Sequence, residues 1–261
     1  MRVSLIITTY NWPEALYLIL KSVESQTRCP DEIIIADDGS GNTTKECIDS
    51  FQRQSSTRII HSWQEDKGFR VAQSRNKAIA KSSFDYIILI DGDVILHEKF
   101  IEDHLNHSEK GFFVQGPRVL LNKSSTKKII NNQNINISIL TRGLRNRKNA
   151  FYSVFLSRIF LTRKNFLNGI KTCNLAFFKS DCIKVNGFNN DIEGWGREDS
   201  EFVVRLFNNM ICRKNIHFNM IQFHLWHKNS STEVLQENNL ILQKAIHRKL
   251  NWCDNGINQY F

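Results

Sequence analysis

The chain is organised around residues 86–96, which read YIILIDGDVIL. The apolar run at its start is rich in β-branched residues, which predicts a strand buried on both faces of a sheet. The run ends in Asp91-Gly92-Asp93, and two carboxylates beside a core strand are costly to bury unless a cation compensates them. At the carboxyl end of a strand in an open α/β sheet, such a pair suits a hard divalent cation. Asp-Gly is also a common turn dipeptide, so this stretch alone leaves a metal site and a plain turn as alternatives.

The residues before this strand alternate between strand and helix patterns. The predicted elements are strands over 2–9, 32–36 and 58–61, and helices from Pro13 onward, around 47–51 and over 71–81. Asn11 is expected to cap the first of these helices. Alternation of this kind predicts a mostly parallel sheet covered by helices. Polar residues follow the first, second and fourth strands, so they are expected to meet at one edge, as in nucleotide-binding sheets.

The second half of the chain has a less regular pattern. It predicts strands over 111–114, 174–178 and 217–226, a turn at 186–188, a helix after residues 194–199 and an amphipathic helix over 234–250. No repeat or linker interrupts it. We therefore predict a single domain with a nucleotide-binding half (1–110), an acceptor-binding half (111–228) and a C-terminal helical extension (229–261).

Composition limits the class of protein. The 261 residues are 41% hydrophobic and 23% charged, and the six cysteines have no paired spacing, which is typical of a globular chain with reduced thiols. No signal peptide or membrane span is apparent, so a cytoplasmic location is expected. The net charge of +9 predicts an anionic partner. The absence of any nucleic-acid-binding motif argues against DNA or RNA.

Much of the excess charge lies in residues 142–164, where arginine and lysine alternate with phenylalanine and isoleucine. Such a segment suits peripheral contact with the inner membrane surface, or an acceptor that carries phosphate. The alternative is an amphipathic helix with one side in the core.

Further candidate residues cluster at predicted strand and helix ends. Thr8, Tyr10 and Asp38 suit a nucleobase, and Trp195 with its neighbouring acids Glu198 and Asp199 suits a sugar platform beside a general base. His224 and His227 are candidate metal ligands. Each cluster also has a plain structural explanation, such as a helix cap, a turn or a core histidine.

Several ordered motifs resemble glycosyltransferase family 2. They are SLIITTYN (4–11), ADDGS (36–40), GFRVAQSRNKA (68–78) and IDGD (90–93). The later motif GWGRED (194–199) is similar to that of β-1,4-galactosyltransferases and bacterial chondroitin polymerase domains. The likeness extends over residues 2–228. It implies the GT-A fold, a UDP-sugar donor and a divalent metal, Mn²⁺ or Mg²⁺.

The resemblance also implies roles for individual residues. The residues that contact the nucleotide-sugar would be Thr8, Tyr10, Asp38, Arg70, Asn76 and Asp91. The metal ligands would be Asp93 with His224 or His227. The acceptor would contact Gly194, Trp195 and Glu198, and Asp199 would be the general base. The implied reaction is inverting transfer of a hexose or N-acetylhexosamine to a hydroxyl of a bacterial surface glycan (lipopolysaccharide, O-antigen or capsule) or glycolipid, forming a β-glycoside. The alternative is a non-catalytic nucleotide-sugar or carbohydrate-binding module with the same fold.

Overall fold

A computed structural model describes residues 1–228 and 231–261. Its strands are β1 (Val3–Thr9), β2 (Glu32–Asp37), β3 (Arg58–Trp63), β4 (Tyr86–Asp91), β5 (Val94–Leu96), β6 (Phe112–Gln115), β7 (Val119–Leu121), β8 (Leu144–Arg145), β9 (Thr162–Arg163), β10 (Asn174–Phe178), β11 (Cys212–Asn215) and β12 (Gln222–His224). Its α-helices are α1 (Pro13–Glu24), α2 (Asn42–Gln54), α3 (Val71–Lys81), α4 (Phe100–His107), α5 (Lys123–Asn131), α6 (Val154–Ile159), α7 (Lys179–Lys184), α8 (Glu198–Asn208) and α9 (Leu235–His247).

The main sheet has eight strands in the order β3-β2-β1-β4-β10-β6-β11-β9. The four strands of the N-terminal half pair in parallel, as their alternation with helices predicted. β10 returns from the second half and pairs antiparallel with β4, which places β4 at the centre of the sheet. The buried run at the start of residues 86–96 is explained by this position.

Both faces of the main sheet are covered, because alternate residues of each strand point to opposite sides. Leu5 and Ile7 of β1 belong to the core under α1 and α2, whereas Ile6 belongs to the core under α3 and α8. All three side chains are fully buried. Burial of one such side chain contributes about 1.5–3 kcal/mol relative to its exposure to water, so the strands are held from both sides.

A second sheet, which the sequence pattern did not predict, has the order β5-β12-β7-β8. Residues 86–96 therefore form two strands in two sheets, with the change of direction at Gly92 and Asp93. A Cβ atom on Gly92 would overlap the carbonyl oxygen of Thr8. Glycine is required there because the chain passes directly over the end of β1.

Two local predictions were wrong. Asn11 does not cap α1; Trp12 occupies that position, and the Asn11 side chain instead accepts a hydrogen bond from the Gly41 backbone N–H at 2.9 Å. The predicted strand over 217–226 shortens to β12. In both cases a distant segment supplies the partner that decides the local conformation.

Residues 142–164 do not form the amphipathic helix that was considered for them. They contain β8, a 3₁₀ turn at Arg147–Ala150, α6 and β9. In α6 the only buried residue is Ser157; Val154, Phe155 and Ile159 are exposed, and Leu156 is half-buried. Among the described residues, no helix is both long enough and apolar enough to span a bilayer. The predicted C-terminal extension contains α9 as expected, although its proposed start lies at residues 229–230, outside the described residues.

Candidate active site

The ends of β1, β2 and β4 meet at one edge of the sheet. Thr8 is paired in register with Asp91, and its hydroxyl donates a hydrogen bond to Asp91 Oδ1 at 3.2 Å. Directly after β2, the backbone N–H of Asp38 donates to the Thr9 carbonyl oxygen at 3.1 Å. The structure therefore brings these predicted site residues into one cleft.

The loop after β3 completes the side of this cleft that the sequence analysis assigned to the nucleotide, called the nucleotide side below. Asp38 is buried, and its carboxylate accepts hydrogen bonds from the Gln64 side chain at 2.6 Å and from the Arg70 backbone N–H at 2.7 Å. Burial raises the pKa of Asp38. The half-exposed Tyr10 donates from its hydroxyl to Asp66 at 2.9 Å. Gly39 permits this packing, since its φ is +102° and a Cβ there would lie 2.5 Å from Asp66 Cα.

Two residues assigned to the nucleotide-sugar site have side chains engaged elsewhere. The Arg70 guanidinium donates to Gln73 and to the Glu65 carbonyl, so it stabilises its own loop. Asn76 is fully buried, and its amide binds the backbone of Phe188 and the side chain of Asn190. Asn76 therefore lies outside the cleft and holds the segment that precedes α8, so we leave it out of the proposed site.

Arg75 connects the two halves of the site. Its guanidinium is 2% exposed and lies 3.1 Å from Asp91 Oδ1 and 3.1 Å from Glu198 Oε1. The negative charges of Asp91, Glu198 and Asp199 raise its pKa against the opposing effect of burial. Arg75 thus holds the start of α8 against the end of β4. One oxygen of Glu198, the predicted acceptor contact, is used in this ion pair.

Replacement of Arg75 by methionine is expected to lower the free energy of unfolding by about 3–5 kcal/mol, because it leaves two carboxylates without their buried partner. Urea unfolding followed by circular dichroism measures this change. Arg145→Met, at an exposed position in β8, is the matched control and is expected to stay within about 0.5 kcal/mol of the wild type. Equal stability of Arg75→Met and the control would show that the ion pairs do not hold the two halves together.

The segment before α8 has an unusual backbone. Gly194, Gly196 and Arg197 all have positive φ values, of +67°, +99° and +82°. A Cβ on Gly194 would overlap the Val234 side chain, and the Gly194 backbone N–H donates to the Phe69 carbonyl oxygen at 2.8 Å. This tight loop leaves Trp195 47% exposed, with an accessible ring of the kind that stacks on sugars.

Asp199 lies in the first turn of α8. One of its carboxylate oxygens accepts hydrogen bonds from the backbone N–H and the hydroxyl of Ser200, at 2.6 and 3.1 Å. Its other oxygen has no hydrogen-bond partner in the described part of the chain. Burial and the neighbouring charge of Glu198 raise the pKa of Asp199 to about 7. A carboxylate with this pKa and a free oxygen is suited to accept a proton near neutral pH.

The second sheet assembles the candidate metal ligands. β5 begins directly after Asp93 and pairs with β12, which ends at His224. Nε2 of His224 lies 3.3 Å, and Nε2 of His227 2.9 Å, from Asp93 Oδ2. The three potential ligand atoms lie within 4.8 Å of one another. The sequence left open which histidine accompanies Asp93, and the structure brings both to it.

The two histidines have different surroundings. The hydrogen bond to Asp93 raises the pKa of His227 to about 9, whereas burial lowers the pKa of His224. Oδ1 of Asp93 is buried and has no hydrogen-bond partner among the described residues. A carboxylate with one buried oxygen that lacks a donor, and with two imidazoles at its other oxygen, has the chemistry of an open metal-ligand set.

Comparisons with known proteins agree with this geometry. The model of Glycosyl transferase family 2 matches residues 4–175, which contain the nucleotide side of the cleft and Asp93. The chain belongs to glycosyltransferase family 2. The model for the N-terminal domain of galactosyltransferase matches residues 156–226, which contain Asp199 and His224. The predicted enzyme class, a glycosyltransferase, is confirmed.

Curated relatives of this family 2 glycosyltransferase include enzymes of polysaccharide synthesis. Hyaluronan synthase of Pasteurella multocida is 26% identical over 223 residues, which cover 78% of this chain and 22% of the relative. Chondroitin synthase of Escherichia coli is 23% identical over 232 residues, which cover 78% of this chain and 32% of the relative. The chain thus spans about a fifth to a third of the length of these relatives.

A solved structure has the same fold. TarS 1–349 of S. aureus, in complex with UDP, superposes with a TM-score of 0.62 and 14% sequence identity, over 93% of this chain and 64% of that one. The GT-A fold that the resemblance implied is confirmed.

Arg75 is the site residue that the sequence analysis missed. It lies within the quoted motif GFRVAQSRNKA, but arginine in a helix of a basic chain is usually exposed. A signal was present, since Arg75 falls on the same helix face as the apolar residues Ala72 and Ile79. Its partners are 16 and 123 residues away, so sequence spacing did not reveal them.

Proposed function

We propose that this glycosyltransferase is metal-dependent and inverting, and that it transfers a hexose or N-acetylhexosamine from a UDP-sugar to a hydroxyl of a bacterial surface glycan, forming a β-glycosidic bond. The observation that carries the proposal is the cluster of Asp93, His224 and His227 after β4. Next to it, Arg75 pairs with Asp91 and with Glu198, which directly precedes Asp199 in the chain. The proposed metal ligands and the proposed general base would thereby act in one cleft.

A UDP-sugar donor is supported by the nucleotide side of the cleft. Tyr10 offers a half-exposed ring, and Asp38 offers carboxylate oxygens that can accept a base N–H. Asp91, fixed by Thr8 and Arg75, lies beyond them at the end of β4, where it can accept from ribose hydroxyls. The UDP complex of TarS, which shares this fold, supports the same choice of nucleotide.

The ligand set favours Mn²⁺ over Mg²⁺. Imidazole nitrogen suits transition metals, whereas Mg²⁺ prefers oxygen ligands throughout. Asp93, His224 and His227 would hold the ion, which when bound neutralises the charge that builds on the diphosphate leaving group. His227 Nε2 lies 2.9 Å from Asp93 Oδ2, so a metal that binds both groups has to displace any proton held between them.

The remaining chemistry is assigned to the chain's own residues. The free oxygen of Asp199 accepts the proton of the acceptor hydroxyl, and Trp195 provides a surface for the acceptor sugar. Arg75 holds Asp91 and Glu198 so that the donor and acceptor sides keep a fixed separation. Attack from the face opposite the leaving group inverts the anomeric centre in a single displacement.

Thermal unfolding with and without ligands tests this proposal. UDP with Mn²⁺ is expected to raise the melting temperature by about 5–10 °C when both are near 100 times their Kd, because they bind only the folded state. UDP-glucose, UDP-galactose and the two N-acetylhexosamine donors are then compared, each with Mn²⁺ and with chelator. Absence of any shift with every nucleotide would contradict the proposal, whereas a shift without sugar transfer to any glycan acceptor would favour the non-catalytic module.

We further propose that residues 142–164 contact the cytoplasmic face of the membrane. Phe155, Ile159 and Phe160 are 72%, 58% and 52% exposed, and the exposed cations Arg158 and Lys164 lie among them. Apolar side chains bordered by positive charge suit the interface of an anionic bilayer. A glycolipid acceptor would be presented at such a surface.

Sedimentation with phosphatidylglycerol vesicles tests the membrane contact. The double variant Phe155→Ser/Ile159→Ser is expected to bind at least about tenfold more weakly than the wild type, because two apolar side chains no longer enter the interface. Leu240→Ser, which alters a 70% exposed leucine on α9, is the control. Equal binding of the double variant and this control would refute the contact.

A further inference from the structure

A cavity of about 300 Å³ lies in the acceptor-binding half, among residues that precede and follow β6, β7, β10 and β11. Arg118, Lys171 and Arg213 line it, and none of its lining residues is an aspartate or a glutamate. The cavity therefore collects positive charge without a carboxylate of its own.

The cations of this cavity have no anionic partners in the described part of the chain. The side chains of Arg118 and Lys171 make no hydrogen bond or ion pair with any described residue. Arg213 is 3% exposed and donates only to uncharged acceptors: the carbonyl oxygens of Phe166, Asn168 and Gly169, at 3.1, 2.9 and 3.5 Å, and Asn215 Oδ1 at 3.0 Å. Its Nε has no partner among the described residues, and burial lowers its pKa to about 10.

Other buried cations of this protein are neutralised by acids. Arg205, fully buried, lies 2.6 Å from Glu201, and Lys214 lies 2.6 Å from Glu109. Arg75 is paired twice, with Asp91 and Glu198. Arg213 is buried, Arg118 is half-buried and Lys171 is exposed at the mouth of the cavity. Because an uncompensated buried charge is costly, Arg213 with these two cations beside it points to an anion supplied from outside the chain.

The cavity adjoins the active site on the side away from the nucleotide. Arg118 directly precedes β7, which pairs with β12 so that Leu120 is opposite His224. Cys173, also in the lining, directly precedes Asn174, the partner of Ile90 at the end of β4. The residues of the nucleotide side lie on the other side of β4, at the ends of β1 and β2. A molecule in the cavity is therefore placed to approach the reacting centre from the acceptor side.

We propose that this cavity binds an anionic group of the acceptor, a carboxylate or a phosphate, so that the acceptor is an acidic glycan. The arginine side chains of Arg118 and Arg213 have paired N–H donors that match the oxygens of either group, and Lys171 adds a third positive charge. This inference rests on the proposed function, because it assigns the substrate class of the same site.

Binding of small probes tests the inference separately from catalysis. Methyl glucuronate, methyl phosphate and the neutral methyl glucoside are titrated by calorimetry, with and without UDP and Mn²⁺. Both anions, or one of them, are expected to bind, and methyl glucoside is not. A preference for the glucuronate identifies an acceptor with sugar carboxylates, and a preference for the phosphate identifies a phosphate-bearing acceptor.

The double variant Arg118→Gln/Lys171→Gln is expected to weaken anion binding by about tenfold or more, because each cation supplies charged hydrogen bonds. Arg53→Gln/Lys81→Gln removes the same charge from exposed positions of the nucleotide half and is expected to change it less than about twofold. An equal effect of both variants, or no anion binding by the wild type, would overturn the inference.

The response to UDP and Mn²⁺ distinguishes this inference from the proposed function. The Arg118→Gln/Lys171→Gln variant is expected to keep the thermal shift with UDP and Mn²⁺, since neither side chain belongs to the nucleotide side. Retained UDP binding without anion binding in the wild type would refute only the acidic acceptor. Absence of the UDP response would refute the proposed function itself.

Discussion

Asp199→Asn is expected to lower the rate of sugar transfer by about 10²–10⁴-fold, with UDP and Mn²⁺ binding unchanged. The amide keeps the size of the carboxylate and can still accept the hydrogen bonds from Ser200, so α8 is expected to begin as before. It cannot accept the proton of an acceptor hydroxyl. Single-turnover transfer measured beside calorimetric titration of UDP separates the chemical step from donor binding.

The pH dependence of transfer gives an independent test of the same residue. Because burial and Glu198 raise the pKa of Asp199 to about 7, this carboxyl is largely protonated and inactive as a base below that pH. The value of kcat/KM is expected to rise with pH up to about 7 and then to level. Because transfer requires the bound cation, and a nearby cation lowers this pKa, the midpoint of the rise is expected below pH 7. Asp199→Asn is expected to lose this rise.

Glu193→Gln is the matched control for Asp199→Asn. Glu193 is an exposed acid in the segment just before α8, and its side chain makes no hydrogen bond to a described residue. The control is expected to transfer sugar at nearly the rate of the wild type. If Asp199→Asn retained wild-type activity and its pH profile, another base would have to be sought in the cleft.

Asp93→Asn is expected to weaken Mn²⁺ binding by about 10²-fold and to reduce transfer to the level found with chelator. The carboxylate is the only anionic member of the cluster, and both histidine nitrogens lie closest to its Oδ2 atom. An amide oxygen keeps the shape but contributes no charge to a divalent ion. Calorimetric titration of Mn²⁺ in the presence of UDP measures the affinity, and unfolding in urea checks that the fold is intact.

Separate histidine variants complete this test. His224→Gln and His227→Gln are each expected to weaken Mn²⁺ binding by about tenfold or more, because both rings lie within reach of Asp93. His247→Gln, at an exposed position at the end of α9, is the control. If Asp93→Asn bound Mn²⁺ as tightly as the wild type, Asp93 would not be a metal ligand, and the proposed metal site would be wrong.

Much of the nucleotide half could be predicted from sequence because its information is local. The strands and helices through β4 each carry their own apolar period, and parallel strands joined by helices bring their carboxyl ends to one edge. Asp38, Asp91 and Asp93 were therefore expected near one another, because each of them follows or ends one of these strands. Asn76 was misplaced because its family motif does not reveal whether the side chain faces the cleft or the next segment.

The second sheet depended on contacts that no local pattern encodes. β5, β7 and β12 are three residues long, too short for a periodic signal, and they are strands only because they pair with one another. That pairing is what brings His224 and His227 to Asp93, and a buried ion pair is what brings Asp199 toward Asp91 through Arg75.

Local patterns along the chain were thus sufficient to specify the fold class, the edge at which the site forms and the identity of its acids. The approach of both histidines to Asp93, the ion pairs of Arg75 with Asp91 and Glu198, and the grouping of unpaired cations in the cavity were decided only by tertiary packing. The physical reason is that these contacts link residues far apart in the chain, and burial and pairing act on such residues only after the two sheets have formed.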